Sequence, residues 1–247
     1  MSTWVFSDIH GNRNLFDQVM AEIGPDDRVY FLGDAIDRGP DGWNILKELL
    51  ADPRVIFIKG NHEYMMCNAL WNYPELPAWS HEMSVWSWNG YEPTISAIEE
   101  ENNDIVKEVL SKVRQLPTYA TYTSHTGNVF WLSHAGFSYS EGGAENIDTY
   151  DLIWNREHYY PSESDDKIPD NLYIIHGHTP IPYLVKELAW FDNYNYLSEG
   201  VTPGAFFYAG GHKIDVDCGA HFTNMTVLLN LDTFEEKVFT KADRETI

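Results

Sequence analysis

The amino-acid sequence predicts an α/β protein whose core is two sheets sandwiched by helices. Three observations carry this expectation. The first is a β-α-β-α-β alternation over residues 3–58, the pattern of a largely parallel sheet with helices on its faces. The second is that each of its three strand-like runs ends in a short polar motif: Ser7-Asp8-Ile9-His10, Gly33-Asp34-Ala35-Ile36-Asp37-Arg38-Gly39 and Gly60-Asn61-His62-Glu63. Sites in such sheets form beyond the strand carboxyl ends, so the motifs are expected to meet at one edge. The third is a change of texture near residue 118, after which short strand-like runs recur and predict a second, more antiparallel sheet.

In order, Thr3-Trp4-Val5-Phe6 reads as a buried strand. Leu15, Val19, Met20 and Ile23 recur at helical spacing, and Gly24-Pro25 stops that helix. Val29-Tyr30-Phe31-Leu32 is the second strand. Ile45, Leu46, Leu49 and Leu50 mark the next helix, with Asp41 as its N-cap. Val55-Ile56-Phe57-Ile58 is the third strand. Residues 64–116 are expected to be mainly helical, with Ile105, Val109, Leu110, Val113 and Leu116 as one amphipathic stripe. Most of the aromatic residues between them (Trp71, Trp79, Trp86, Trp88, Tyr91) are expected to pack these helices together. Tyr119–Thr123 and Val129–Leu132 flank Thr126-Gly127-Asn128 and predict a hairpin. Runs at 172–176, 205–208, 213–217, 225–230 and 236–239 supply further strands. With no linker and no repeat, residues 1–247 read as one domain carrying a helical, aromatic-rich insert at about 64–116.

Composition narrows the function classes. Sixteen Lys+Arg against 38 Asp+Glu give a formal net charge of −22, which argues against a nucleic-acid face or an anionic membrane surface. Any phosphate site must therefore rest on local positive charge. Cys67 and Cys218 imply no disulfide framework. The chain enters a strand at Thr3, so no signal peptide is expected, and no run has transmembrane length. A cytoplasmic location is expected.

The motifs supply metal-binding chemistry. Asp8 and His10, two apart, would project to one side of an extended segment, and carboxylate and imidazole suit Mn, Fe or Zn. Gly33 allows a tight bend before Asp34, whose two oxygens can bridge two metals. Asn61 offers a neutral oxygen ligand, and His62, at a helix start, could act as an acid. Ser133-His134-Ala135-Gly136 ends another strand. His176-Gly177-His178-Thr179-Pro180 offers two histidines, either of which could be a ligand on spacing alone. Arg38 and Arg156 suit phosphate.

Asp8-x-His10, Gly33-Asp34-x-x-Asp37-Arg38-Gly39, Gly60-Asn61-His62-Glu63, Ser133-His134-Ala135-Gly136 and Gly177-His178-Thr179-Pro180 occur in an order that resembles the calcineurin-like metallophosphoesterases. More narrowly, they are similar to the phosphoprotein phosphatase group in its short bacterial and phage form. Asp217-Cys218-Gly219-Ala220 resembles a late motif of that group. The resemblance implies a four-layer α/β/β/α sandwich with a dinuclear centre at the strand carboxyl ends. It assigns Asp8, His10 and Asp34 to one metal, and Asp34, Asn61, His134 and His178 to the other. It makes His178 the ligand and leaves His176 without a role. Pro180 stands where many wider members carry a further histidine. The resemblance also favours Mn²⁺, with Fe or Zn as alternatives.

On this basis a hydroxide bridging two divalent ions would attack phosphorus in line. His62 would protonate the leaving group, Asp37 would orient His62, and Arg38, Arg156 and Asn61 would hold the phosphate. Two divalent ions, two carboxylates and the hydroxide sum to about +1, and the arginines raise this to about +3, a local match for a phosphate dianion. The leading expectation is a protein serine/threonine phosphatase acting on a phosphorylated protein or peptide. The alternatives are a symmetrical dinucleoside tetraphosphate hydrolase and an inactive phosphate-binding module. Neither cysteine lies in a thiol-phosphatase loop, and the sequence leaves the oligomeric state open.

Overall fold

A computed structural model describes residues 1–75, 80–140, 143–192 and 204–240. The β-α-β-α-β start is present: β1 (Thr3–Phe6), α1 (Arg13–Glu22), β2 (Arg28–Phe31), α2 (Gly42–Ala51) and β3 (Val55–Phe57). The strands β1, β2 and β3 pair in parallel. The insert forms α3 (Asn61–Ala69), α4 (His81–Ser87), α5 (Glu92–Glu100) and α6 (Asn103–Arg114). After it come β4 (Tyr119–Thr123), β5 (Val129–Ser133), α7 (Thr149–Trp154), β6 (Leu172–His176) and α8 (Ile181–Asp192). The described chain closes with β7 (Phe206–Tyr208), β8 (Lys213–Asp215), α9 (Ala220–Thr223), β9 (Met225–Asn230) and β10 (Glu236–Thr240).

Two five-stranded sheets result, in the orders β10-β9-β1-β2-β3 and β4-β5-β6-β8-β7. Alternation along the strands sorts their side chains between layers. Trp4, Phe6, Val29 and Phe31 pack against Leu15, Val19, Ile45 and Leu46 of the covering helices. Val5, Tyr30 and Leu32 face inward and meet Phe130, Leu132, Ile175 and Ile214 of the second sheet. The outer face of that sheet is covered by Leu152 of α7 against Ile174 and by Leu184 of α8 against Tyr208. The layer order is therefore helices, sheet, sheet, helices.

Phe130 is fully buried between the sheets and stacks on Tyr122 and Tyr173 at 6.0 and 5.4 Å between ring centroids. Phe130→Ala would leave a cavity that two sheets cannot close. Urea unfolding is expected to show a loss of about 3–5 kcal/mol. A loss under ~1 kcal/mol would mean that the inter-sheet layer is not a rigid core.

Some local expectations differ from the structure. The second sheet is antiparallel only at its edges, β4–β5 and β7–β8, while β5, β6 and β8 run parallel. The connections through α7 and α8 are long enough to return each strand in the same direction. Asp41 occupies the cap position of α2 but makes no capping bond, because its carboxylate takes Arg13 Nε at 2.5 Å. In α6 the buried face uses Val106, while Ile105 is exposed. Trp86 is buried, with Tyr91 against it, but Trp71 and Trp88 are 67% and 87% exposed and lie outside the core. Trp79 lies outside the described residues. No helix among the described residues is long and apolar enough to cross a membrane.

Candidate metal centre

The motifs meet at one edge because the parallel strands β1, β2 and β3 all point their carboxyl ends there, joined by the ends of β5 and β6. The first motif reaches it by a different route from the one its spacing suggested. The strand ends at Phe6, and Asp8 and His10 stand at φ 51° and 42°, in the left-handed region. Their amides donate to the carbonyls of Gly33 and Asp34, each at 3.0 Å. A tight turn laced to the neighbouring loop, rather than strand alternation, puts both side chains into the centre. Asp34, Asp37, Arg38 and His178 also have positive φ, a concentration of backbone strain typical of functional loops.

Gly33, at φ 104°, permits a close crossing: a Cβ there would lie 2.5 Å from the Cα of Gly60. Glu63 locks the same crossing. Its two oxygens accept the amide N–H groups of Asp34 and Ala35, both at 2.8 Å, and of Gly60 at 3.0 Å. In the sequence Glu63 is only the last residue of the Gly60-Asn61-His62-Glu63 motif. Its bracing role was not visible there, because all but one of its partners belong to another loop.

Asp34 is the hub. Its Oδ2 lies 3.6 Å from His10 Nε2, 3.7 Å from His62 Nε2 and 3.5 Å from His134 Nε2. Two donor triads share it, His10–Asp34–His62 and Asp34–His134–His178. Asn61 Oδ1 joins the second, 2.8 Å from His134 Nε2 and 3.0 Å from His178 Nδ1. Asp8 completes the ring: its Oδ2 accepts from the Ser7 hydroxyl and from the His178 amide at 3.1 Å. Asn61 is the first residue of α3 and its side chain does not cap the helix; Gly60 holds the cap position.

The residues fit divalent cations. His10 Nδ1 donates to Ile36 O at 2.9 Å and His134 Nδ1 to Leu32 O at 2.8 Å. Each bond fixes a tautomer whose Nε2 lone pair points inward, the arrangement that orients metal-binding histidines. These lone pairs converge on Asp34 at 3.5 Å or more with no proton to share. Asp8, Asp34, Asp37, Glu63, Asp215 and Asp217 are all buried nearby, and buried anions call for countercharge. Burial, then the charges of Asp8 and Glu63, holds Asp34 well above the usual carboxylate range. Burial also holds the His10, His62 and His178 imidazoles well below their ordinary value. A bound cation would reverse the first tendency and reinforce the second, favouring anionic carboxylate and neutral imidazole.

His62 differs from the other imidazoles. Its Nδ1 is held by a carboxylate, Asp37 Oδ2 at 2.6 Å, rather than by a carbonyl, while its Nε2 lies 3.2 Å from Arg38 Nη2. Burial pushes Asp37 up to about 7. Arg38 Nη1 also donates to His10 Nε2 at 2.9 Å, and Arg156 Nε to His178 Nε2 at 3.1 Å. Both arginines are otherwise exposed at the mouth. His176 stands apart, with its Nε2 2.7 Å from the Tyr208 hydroxyl.

Two further side chains, one given no role by the sequence and one expected only to pack, touch the site. His221 Nδ1 accepts from Arg38 Nη1 at 3.2 Å, just after the Asp217-Cys218-Gly219-Ala220 motif. Trp86 of the insert donates its indole N–H to Asp37 Oδ2 at 2.8 Å. Cys67 and Cys218 are buried free thiols, and burial pushes Cys67 up to about 12 and Cys218 up as well. Neither is a ready nucleophile.

Fold and site together define a hydrolase with a candidate two-metal centre at a sheet edge. The chain belongs to the calcineurin-like phosphoesterases, whose family profile matches residues 1–221, and it is an enzyme that hydrolyses phosphate esters. It is 25% identical over 206 residues to serine/threonine-protein phosphatase 1 of Salmonella typhimurium, covering 81% of this chain and 87% of that protein. It is 25% identical over 203 residues to serine/threonine-protein phosphatase 2 of Escherichia coli, covering 80% and 86%. Its fold is similar to a solved structure described provisionally as a diadenosine tetraphosphatase, with a TM-score of 0.63 at 12% identity over 98% of this chain and 94% of that one.

Proposed function

We propose that this phosphoesterase is a protein serine/threonine phosphatase that hydrolyses phosphomonoesters on protein or peptide substrates. The observation that carries the reading is the Asp37–His62–Arg38 constellation set against the donors around Asp34. It offers a proton donor and a phosphate-binding guanidinium beside one candidate two-metal centre. The bacterial relatives named above support the substrate class.

In this reading Asp8, His10, Asp34, Asn61, His134 and His178 hold two divalent cations, with Mn²⁺ the ion we favour. Such ions activate water at neutral pH and screen phosphoryl charge. Arg38 and Arg156 bind phosphate oxygens, each leaving an imidazole to do so, and Asn61 lies beside them. His62 gives its proton to the departing alkoxide, and the Asp37 carboxylate supports the imidazolium form that precedes this transfer. One domain spanning 1–247 with its insert, a cytoplasmic location suited to two free thiols, and no nucleic-acid or membrane partner complete the proposal.

A second reading, hydrolysis of a dinucleoside tetraphosphate, is favoured by the fold likeness above. The net charge of −22 opposes it, because a polyanionic substrate gains no long-range steering from such a surface. Chelation followed by reconstitution tests both. Activity is expected to vanish on chelation and return with Mn²⁺. The kcat/KM for a phosphoserine peptide is expected to exceed that for diadenosine tetraphosphate by roughly tenfold or more. The reverse preference would reassign the substrate, and activity surviving chelation would remove the metal centre.

A further inference from the structure

We propose that Trp86 is a positioning residue for the proton donor: its indole N–H fixes the carboxylate that aims His62. The proposal rests on the reading of His62 as the acid. Trp86 is fully buried in the insert, and its indole nitrogen lies 2.8 Å from Asp37 Oδ2. The same oxygen receives His62 Nδ1–H at 2.6 Å, while Asp37 Oδ1 is buried without a partner. Two donors therefore converge on one oxygen of a carboxylate that the Thr94 side chain also helps to hold. A single donor leaves the carboxylate plane free to swing about Cβ–Cγ. Two donors reaching one oxygen from different residues hold that oxygen in place.

The surroundings are built to the same end. Asp37 and Arg38 both adopt left-handed backbone, at φ 69° and 66°, which side-chain-bearing residues hold only when neighbours impose it. The insert imposes it twice more. Asp37 N–H donates to Thr94 Oγ1 at 3.0 Å, and Arg38 N–H donates to Gly90 O at 2.7 Å. Trp86 is seated by Tyr91, ring to ring at 5.4 Å and 67°. The insert thus reaches the reaction through a hydrogen bond, and not through packing alone.

A packing role and a positioning role predict different kinetics. Dinitrophenolate leaves without a proton, whereas phenolate needs one, so only the second ester reports on the acid. For the Mn²⁺-loaded full chain, Trp86→Phe keeps a buried ring and removes the N–H. It is expected to lower kcat on phenyl phosphate roughly tenfold, to leave kcat on 2,4-dinitrophenyl phosphate within about threefold, and to leave KM for both little changed. Equal losses on both esters, or no loss on either, would overturn the proposal. A second measurement does not depend on that variant folding. In the diamagnetic Zn²⁺-loaded protein, Asp37→Asn is expected to move one of the nine tryptophan indole N–H signals upfield, and nine unmoved signals would also overturn it. His62→Asn separates the two readings. If its loss is the same on both esters, the acid assignment falls and takes the proposal with it. If its loss is confined to phenyl phosphate while that of Trp86→Phe is not, Trp86 alone falls.

Discussion

Asp34→Asn is expected to strip the centre of metal and to lower kcat/KM by roughly 10³-fold or more. Its Oδ2 is the atom on which three imidazole nitrogens converge, and its Oδ1 accepts the His62 amide at 3.0 Å. An amide in its place removes the anionic charge and turns an N–H₂ group toward either that amide or the ring lone pairs. In the proposed reading both cation positions lose a shared ligand at once. Elemental analysis after loading with Mn²⁺ and desalting is the direct check, and two ions per chain in the variant would end the bridging role. The same substitution is expected to raise the melting temperature of the metal-free protein. Asp34 is held well above the usual carboxylate range by burial beside Asp8 and Glu63, so its charged form at neutral pH opposes folding when no cation is bound.

His62→Asn is expected to lower kcat by roughly 10²-fold or more while both metals stay bound. His62 combines a carboxylate at Nδ1 with an Nε2 that faces Arg38, where the leaving oxygen of a phosphate held by that guanidinium would lie. KM is expected to change little, since in the proposed reading the arginines bind the phosphate. Near-normal turnover would exclude His62 as the acid. Loss of metal on elemental analysis would instead make it a ligand, the role that its place in the His10–Asp34 triad also allows.

These two experiments meet in one loop. Asp34 and Asp37 are three residues apart, yet one faces the metal donors and the other faces His62. The left-handed turns at Asp34, Asp37 and Arg38 separate them. Thr94 and Gly90 hold those turns at Asp37 and Arg38, and Glu63 holds them at the amides of Asp34 and Ala35. Site geometry is therefore a property of how three distant segments cross.

Much of the architecture was legible in local pattern. Continuous apolar runs led into Asp8, Asp34 and Asn61, and helical spacing between them required parallel strands whose carboxyl ends share an edge. Residue type then named the chemistry, because oxygen and imidazole donors delivered to one edge have few other uses. Local pattern could not give the turn that carries Asp8 and His10 inward, since its bonds run to Gly33 and Asp34. Nor could it give the parallel β5, β6 and β8, whose direction depends on where α7 and α8 return the chain. It read Trp86 as packing, Asp41 as a cap, and assigned His221 no role. Their hydrogen bonds reach Asp37, Arg13 and Arg38, 49, 28 and 183 residues away. Spacing along a chain encodes periodicity and backbone preference. Which donor satisfies which buried acceptor is settled only when separate loops are pressed together and water is excluded from between them.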